Sequence, residues 1–194
     1  MADFYWREGN SESVARFVKS DELDKNDGAF LSSDDVCAYI EDGKYTGYSS
    51  ETVVNLNPKT GMLKRLLRGK IRREWLFINK GPHEIAVKFS ARWGNGKSAN
   101  GFTILAAQIN PENTGRLLAM ARSKGIVSTQ DISDAVSKEL NDHCGSAVAQ
   151  FDTRDPARDQ ELRDALRLAA DNSLRNHGID VTKAIISWQK TPAE

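Results

Sequence analysis

Two stretches of this sequence carry residue types at spacings suited to chemistry, and both would address phosphate. Ala91-Arg-Trp-Gly-Asn-Gly-Lys97-Ser98 has the Gly-Lys-Ser ending of a phosphate-binding loop, with alanine in place of the first glycine. Such a loop works when a strand precedes it and a helix follows, so that the helix amides and dipole hold the phosphate. Here Ala99 to Ile109 read as a turn and a strand. The expectation is therefore a hairpin turn that holds no nucleotide and no other cofactor.

The second stretch is more densely charged. Lys64, Arg65, Arg68, Lys70, Arg72 and Arg73 place six cations in ten residues, with Leu63, Leu66, Leu67 and Ile71 interleaved and no acid among them. Anionic lipid headgroups would attract such a cluster at about 1 kcal/mol per cation. Nucleic-acid phosphate is a further partner of the right sign, as is an acidic strip on a neighbouring subunit. The plainer reading is a solvated face whose leucines enter the core. Of the functional readings, a neighbouring subunit or a membrane surface is preferred, with the six cations as the contact residues. Nucleic acid is disfavoured, because 27 Lys and Arg balance 27 Asp and Glu and leave no net field to draw it in.

Other reactive types lack partners in the pattern. His143 and Cys144 are adjacent, and neighbours on a helix point in different directions; a structural zinc wants four ligands at regular spacing. Neither a metal site nor a catalytic constellation is expected, and Cys144 reads as core filler. His83 falls in a turn and His177 at a helix end, where its protonated form would suit the dipole. The two cysteines, Cys37 and Cys144, each sit in an apolar pattern and read as buried free thiols of a reducing compartment. Phe4, Tyr5 and Trp6 cluster near the start; pinning the terminus to its own domain is the favoured reading over a membrane-interface anchor.

These residues must be positioned by a chain of 194 residues, a length that one domain can hold. No apolar run reaches the roughly 18–20 residues of a spanning helix, and the acidic first residues do not read as a signal peptide. The expectation is a cytoplasmic chain, with peripheral membrane association left open. The first half reads as strands: 13–18, 29–31, 36–40, 52–56, 72–79, 84–93 and 102–109. Asp42-Gly43 supplies a hairpin turn that needs positive φ, and 61–69 reads as one or two helical turns between glycines. From Asn110 the period changes from 2 to 3.6. Asn110-Pro111 reads as the start of a helix running to about Ser123 and ended by Gly125. Ser128 to Asp131 resembles a capping box before a helix with Ile132, Val136, Leu140, Cys144, Val148 and Phe151 on one stripe. Asp155-Pro156 opens a third helix, Gly178 closes it, and Ile179–Trp188 is a final strand returning to the sheet. The predicted class is α+β: an antiparallel sheet, three helices and a C-terminal strand.

With the elements in this order, the chain resembles the SPFH/band 7 (prohibitin-homology) family along nearly its full length. The hairpin segment Val36–Lys44, the long strands ending in Ile109-Asn-Pro-Glu112 and the helix through Leu-Leu-Ala-Met-Ala match in order and spacing. So does 161–188, a helix of leucine and small residues, then His-Gly-Ile-Asp-Val and an apolar strand. The opening Phe4-Tyr-Trp with Val14-Ala-Arg-Phe, and the segment Ala29–Lys44, are similar to the soluble bacterial, virion core-like branch. The resemblance implies one SPFH/band 7-like domain over 1–190, with 191–194 a tail where a coiled coil would begin. It further implies a non-enzymatic scaffold that self-associates or organises other proteins, with no small-molecule substrate. Neither the N-terminal membrane hairpin nor the following coiled coil of that family is read within these 194 residues, so they alone are expected to be monomeric or weakly associated.

Overall fold

In the computed structural model, residues 3–7, 12–23, 28–56 and 72–188 are described. The strands, in chain order, are β1 (Asp3–Phe4), β2 (Ser13–Lys19), β3 (Gly28–Phe30), β4 (Asp35–Glu41), β5 (Lys44–Ser49), β6 (Val53–Asn55), β7 (Arg73–Asn79), β8 (His83–Arg92) and β9 (Ser98–Ile109). Then come helix α1 (Gly115–Lys124), strand β10 (Ile126–Ser128), helices α2 (Thr129–Val148) and α3 (Asp159–Leu174), and strand β11 (Ile179–Trp188). The fold is α+β with antiparallel pairing throughout, save for one short parallel pair, β1 with β3. The helical turns predicted at 61–69 and the tail at 191–194 lie outside the described residues.

The described strands form three sheets, where one was expected: β1-β3-β6, β10-β2-β7-β4-β5 and β11-β9-β8. The chain divides into two compact units, Met1–Lys80 with Pro111–Ser128, and Gly81–Asn110 with Thr129–Glu194. Each unit joins two separate stretches of chain, so no linker of distinct composition marks the division.

In unit 1, β7 is central and is buried over Glu74–Ile78, consistent with its position between β2 and β4. One face of this sheet carries Val18, Cys37, Trp75 and Phe77, which form a core with Trp6, Leu31 and Val54. Trp6 stacks on Phe77 with ring centroids 6.1 Å apart, and its indole N–H donates to Asp35 Oδ2 at 3.2 Å. The aromatic cluster thus fastens the N-terminal segment to its own unit, as favoured above. On the other face, α1 packs against β2 through Leu117, Leu118 and Ala121. The β4–β5 hairpin turns at Asp42 (φ 51°) and Gly43 (φ 81°), the two left-handed residues that the Asp-Gly pair announces.

Helix α1 starts at Gly115, later than the expected Asn110-Pro111 start; Pro111 and Glu112 form a turn, and the Leu118 amide closes the first helical bond on the Thr114 carbonyl at 2.7 Å. Gly125 (φ 79°) ends it as expected, and the chain then adds the unforeseen strand β10 alongside β2.

In unit 2, β9 lies between β8 and β11, and α2 and α3 cover one face of the sheet. Ile85, Val87 and Phe89 of β8 meet Leu105 and Ala107 of β9 on the buried side, over Ile132, Val136, Leu140 and Cys144 of α2. The stripe read from the 3.6-residue period is thus the buried one. Gly101 is required where it stands: a Cβ there would lie 2.7 Å from the Ser187 carbonyl oxygen and 3.1 Å from the Phe89 ring. Strand β11 is held at its start by α3, where buried Asp171 accepts the Val181 amide at 2.9 Å and pairs with Arg175.

Candidate functional sites: an open sheet face and a charged cleft

The outward face of the unit 2 sheet follows from strand alternation. Its central cross-strand row is Ala86–Ile104–Ile185. On either side lie the rows Glu84–Ala106–Lys183 and Lys88–Phe102–Ser187. Phe102 is 43% exposed and Ile185 47%, while Ile104 and Ala106 are half-buried. The face therefore presents an apolar centre, with the acid Glu84 on one side of the central row and the base Lys88 on the other. Across the sheet, β8 faces α2, and the Ser90 amide donates to Asn141 Oδ1 at 3.0 Å.

Unit 1 holds an open cleft of about 610 Å³ lined by Phe17, Lys19, Asp42, Gly43, Arg72, Glu74 and Arg122. The register places Lys19 directly opposite Glu74. The Glu74 side chain is only 5% exposed and accepts two ion pairs, Arg72 Nη2 at 2.8 Å and Arg122 Nη2 at 2.9 Å. Arg122 stands in the last turn of α1, where the dipole favours a cation. It also donates to the Gly43 carbonyl at 3.3 Å and lies 5.6 Å over the Phe17 ring. Asp42 fixes the remaining wall: its Oδ1 accepts the Arg72 amide at 3.0 Å, and its own amide donates to the Arg72 carbonyl.

Of the six cations singled out in the sequence, Lys64, Arg65, Arg68 and Lys70 lie outside the described residues. Arg72 and Arg73 are described, and they diverge: Arg72 pairs with Glu74, Arg73 with Glu41 at 3.4 Å. Lys97 sits in the β8–β9 hairpin, its amide accepted by Asn95 Oδ1 at 3.0 Å, with no helix following. Cys144 is buried and His143 exposed, so the two point apart as expected on a helix. His177 meets Glu139 at 3.2 Å, and His83 is buried at the start of β8. Burial pushes both thiols up, Cys144 to about 11 and Cys37 further. No helix among the described residues is long and apolar enough to cross a membrane.

Neither site stood out in the sequence. The cleft joins Lys19, Asp42, Glu74 and Arg122 from four elements, and no local spacing connects them. The sheet face did leave a signal: in Phe102-Thr-Ile-Leu-Ala-Ala-Gln-Ile109 both alternating sets are largely apolar, the mark of a strand with two faces to cover. No family model matches the chain, and a comparison with curated proteins finds no match either.

Proposed function

We propose that this chain is a non-enzymatic assembly domain, cytoplasmic and SPFH/band 7-like, that binds a second copy of itself through the outward face of the unit 2 sheet. The observation that carries the reading is the outward row Ala86–Ile104–Ile185, exposed at Ala86 and Ile185, with exposed Phe102 beside it. The face is self-complementary. A two-fold axis along the central row would set Glu84 against Lys88 of the second copy, Lys88 against its Glu84, and Ala106 against its Phe102. Two opposite-charge pairs and a small-to-large fit result from one operation, as an isologous interface requires.

The size of the face sets the strength. Three strands at about 4.8 Å spacing and three rows along the strand cover about 300 Å² per copy, well below the roughly 800 Å² of a standard interface. Association also costs on the order of 4–15 kcal/mol in lost freedom. Two copies of the isolated chain therefore associate weakly, and larger assemblies need further contacts. Light scattering over a wide concentration range is the test: mass should rise with concentration, and Phe102→Lys should abolish the rise. A mass that stays monomeric at every concentration would refute self-association.

A further inference from the structure

The charged cleft of unit 1 points to a ligand that self-association does not involve. Glu74 binds one terminal nitrogen from each of two arginines, so the Arg72–Glu74–Arg122 group carries one net positive charge. Lys19 adds a second, and Asp42 brings the lining back to a net charge of one positive. The buried carboxylate also orients both guanidiniums. Arg122 is held further by the Gly43 carbonyl and the Phe17 ring, and Arg72 through the backbone bonds of Asp42. Oriented guanidiniums are suited to bidentate recognition of tetrahedral or planar oxyanions, with lysine as a point charge beside them. The arginine side chains remain 65% and 38% exposed, so their remaining N–H groups reach the cleft solvent. At about 610 Å³ the cleft exceeds a bare ion and falls in the range of small-molecule sites.

We propose that this cleft binds a phosphate ester, with Arg72 and Arg122 as paired donors, Lys19 as the third cation and Glu74 as the positioning residue. The phosphate could belong to a soluble ester or to a lipid headgroup, and two probes separate the sources. The full chain is titrated with glycerol 3-phosphate at constant ionic strength while backbone amide and arginine Nε signals are followed by NMR. Sedimentation with phosphatidylcholine vesicles, with and without phosphatidylglycerol, forms the second arm. Saturable shifts at Lys19, Asp42, Gly43 and Arg122 are expected, with affinity reduced about tenfold or more in Arg122→Gln and in Lys19→Gln. The control Lys138→Gln, on the exposed side of α2, should bind as the wild type does. Saturation together with phosphatidylglycerol-dependent sedimentation, both lost in the two variants, assigns the site to a headgroup; saturation without sedimentation assigns it to a soluble ester. Shifts that rise linearly and equally in wild type and both variants would overturn the proposal, as would vesicle binding that the variants leave intact.

Discussion

Glu74 is the side chain on which the unit 1 cleft depends, because a buried carboxylate needs its two arginines. Arg72→Glu would place a second carboxylate beside it and should lower unfolding stability by about 1–3 kcal/mol, measurable by urea denaturation. An unchanged midpoint would show that Arg122 alone satisfies Glu74. This corrects the view of Arg72 as simply one of a solvated cationic run: at this position the charge has a buried partner that is two residues on in sequence but invisible as such. The thiols provide a pH test. Their ordinary ionisation lies at 9.0, and the native value for Cys144 is about 11. As pH rises above 9.0 the unfolded chain gives up that proton first, so it binds fewer protons than the native state and stability falls. Each buried thiol contributes at most about 1.4 kcal/mol per pH unit to that slope. The alkaline slope of the thermal midpoint should therefore be shallower in Cys37→Ala/Cys144→Ala than in wild type; equal slopes would contradict burial of the neutral thiols. Their burial was legible in the sequence because each cysteine sits within an apolar period, whereas the Glu74 cluster is assembled from distant segments.

Elements carry the next scale. The α2 stripe through Leu140 seals the inner face of the unit 2 sheet, and Leu140→Ala should cost about 2–5 kcal/mol. Gly101→Ala should cost about 1–3 kcal/mol through overpacking against the Ser187 carbonyl and the Phe89 ring; a neutral result in denaturant titration would mean that β9 and β11 move apart freely. Element types were readable where periodicity was long, as in α2, α3 and β8. Boundaries were less so. Asn110-Pro111 has the residue types of a helix start, but it follows β9 directly, where the Asn110 amide bonds the Gly178 carbonyl, and the helix forms only after a turn. The three-residue strand β10 is too short for a period and exists because β2 offers an edge. For Lys97, the hairpin supplies no helix dipole, so no ATP binding that depends on Lys97 is expected by calorimetry. Heat of binding that Lys97→Ala removes would contradict this.

At the scale of the whole molecule, the partition into two units escaped the sequence because each unit is discontinuous, while the α+β order itself was plain from the change of period at Asn110. The proposed self-association through the unit 2 face depends on geometry that substitutions can address one charge at a time. Glu84 and Lys88 lie on one face of β8 four residues apart, about 13 Å along the strand, too far for a strong direct pair within one copy. Across the proposed two-fold axis they would become partners. Glu84→Lys alone and Lys88→Glu alone should each weaken association, with little change in thermal midpoint, since exposed charges contribute under about 1 kcal/mol each. Sedimentation velocity over a concentration series, for wild type, both single reversals and the double swap, tests this directly. The expected result is loss of the faster-sedimenting species in each single reversal and its return in Glu84→Lys/Lys88→Glu. Association that is unchanged by the single reversals, or a double swap that fails to restore it, would contradict the two-fold pairing of this face.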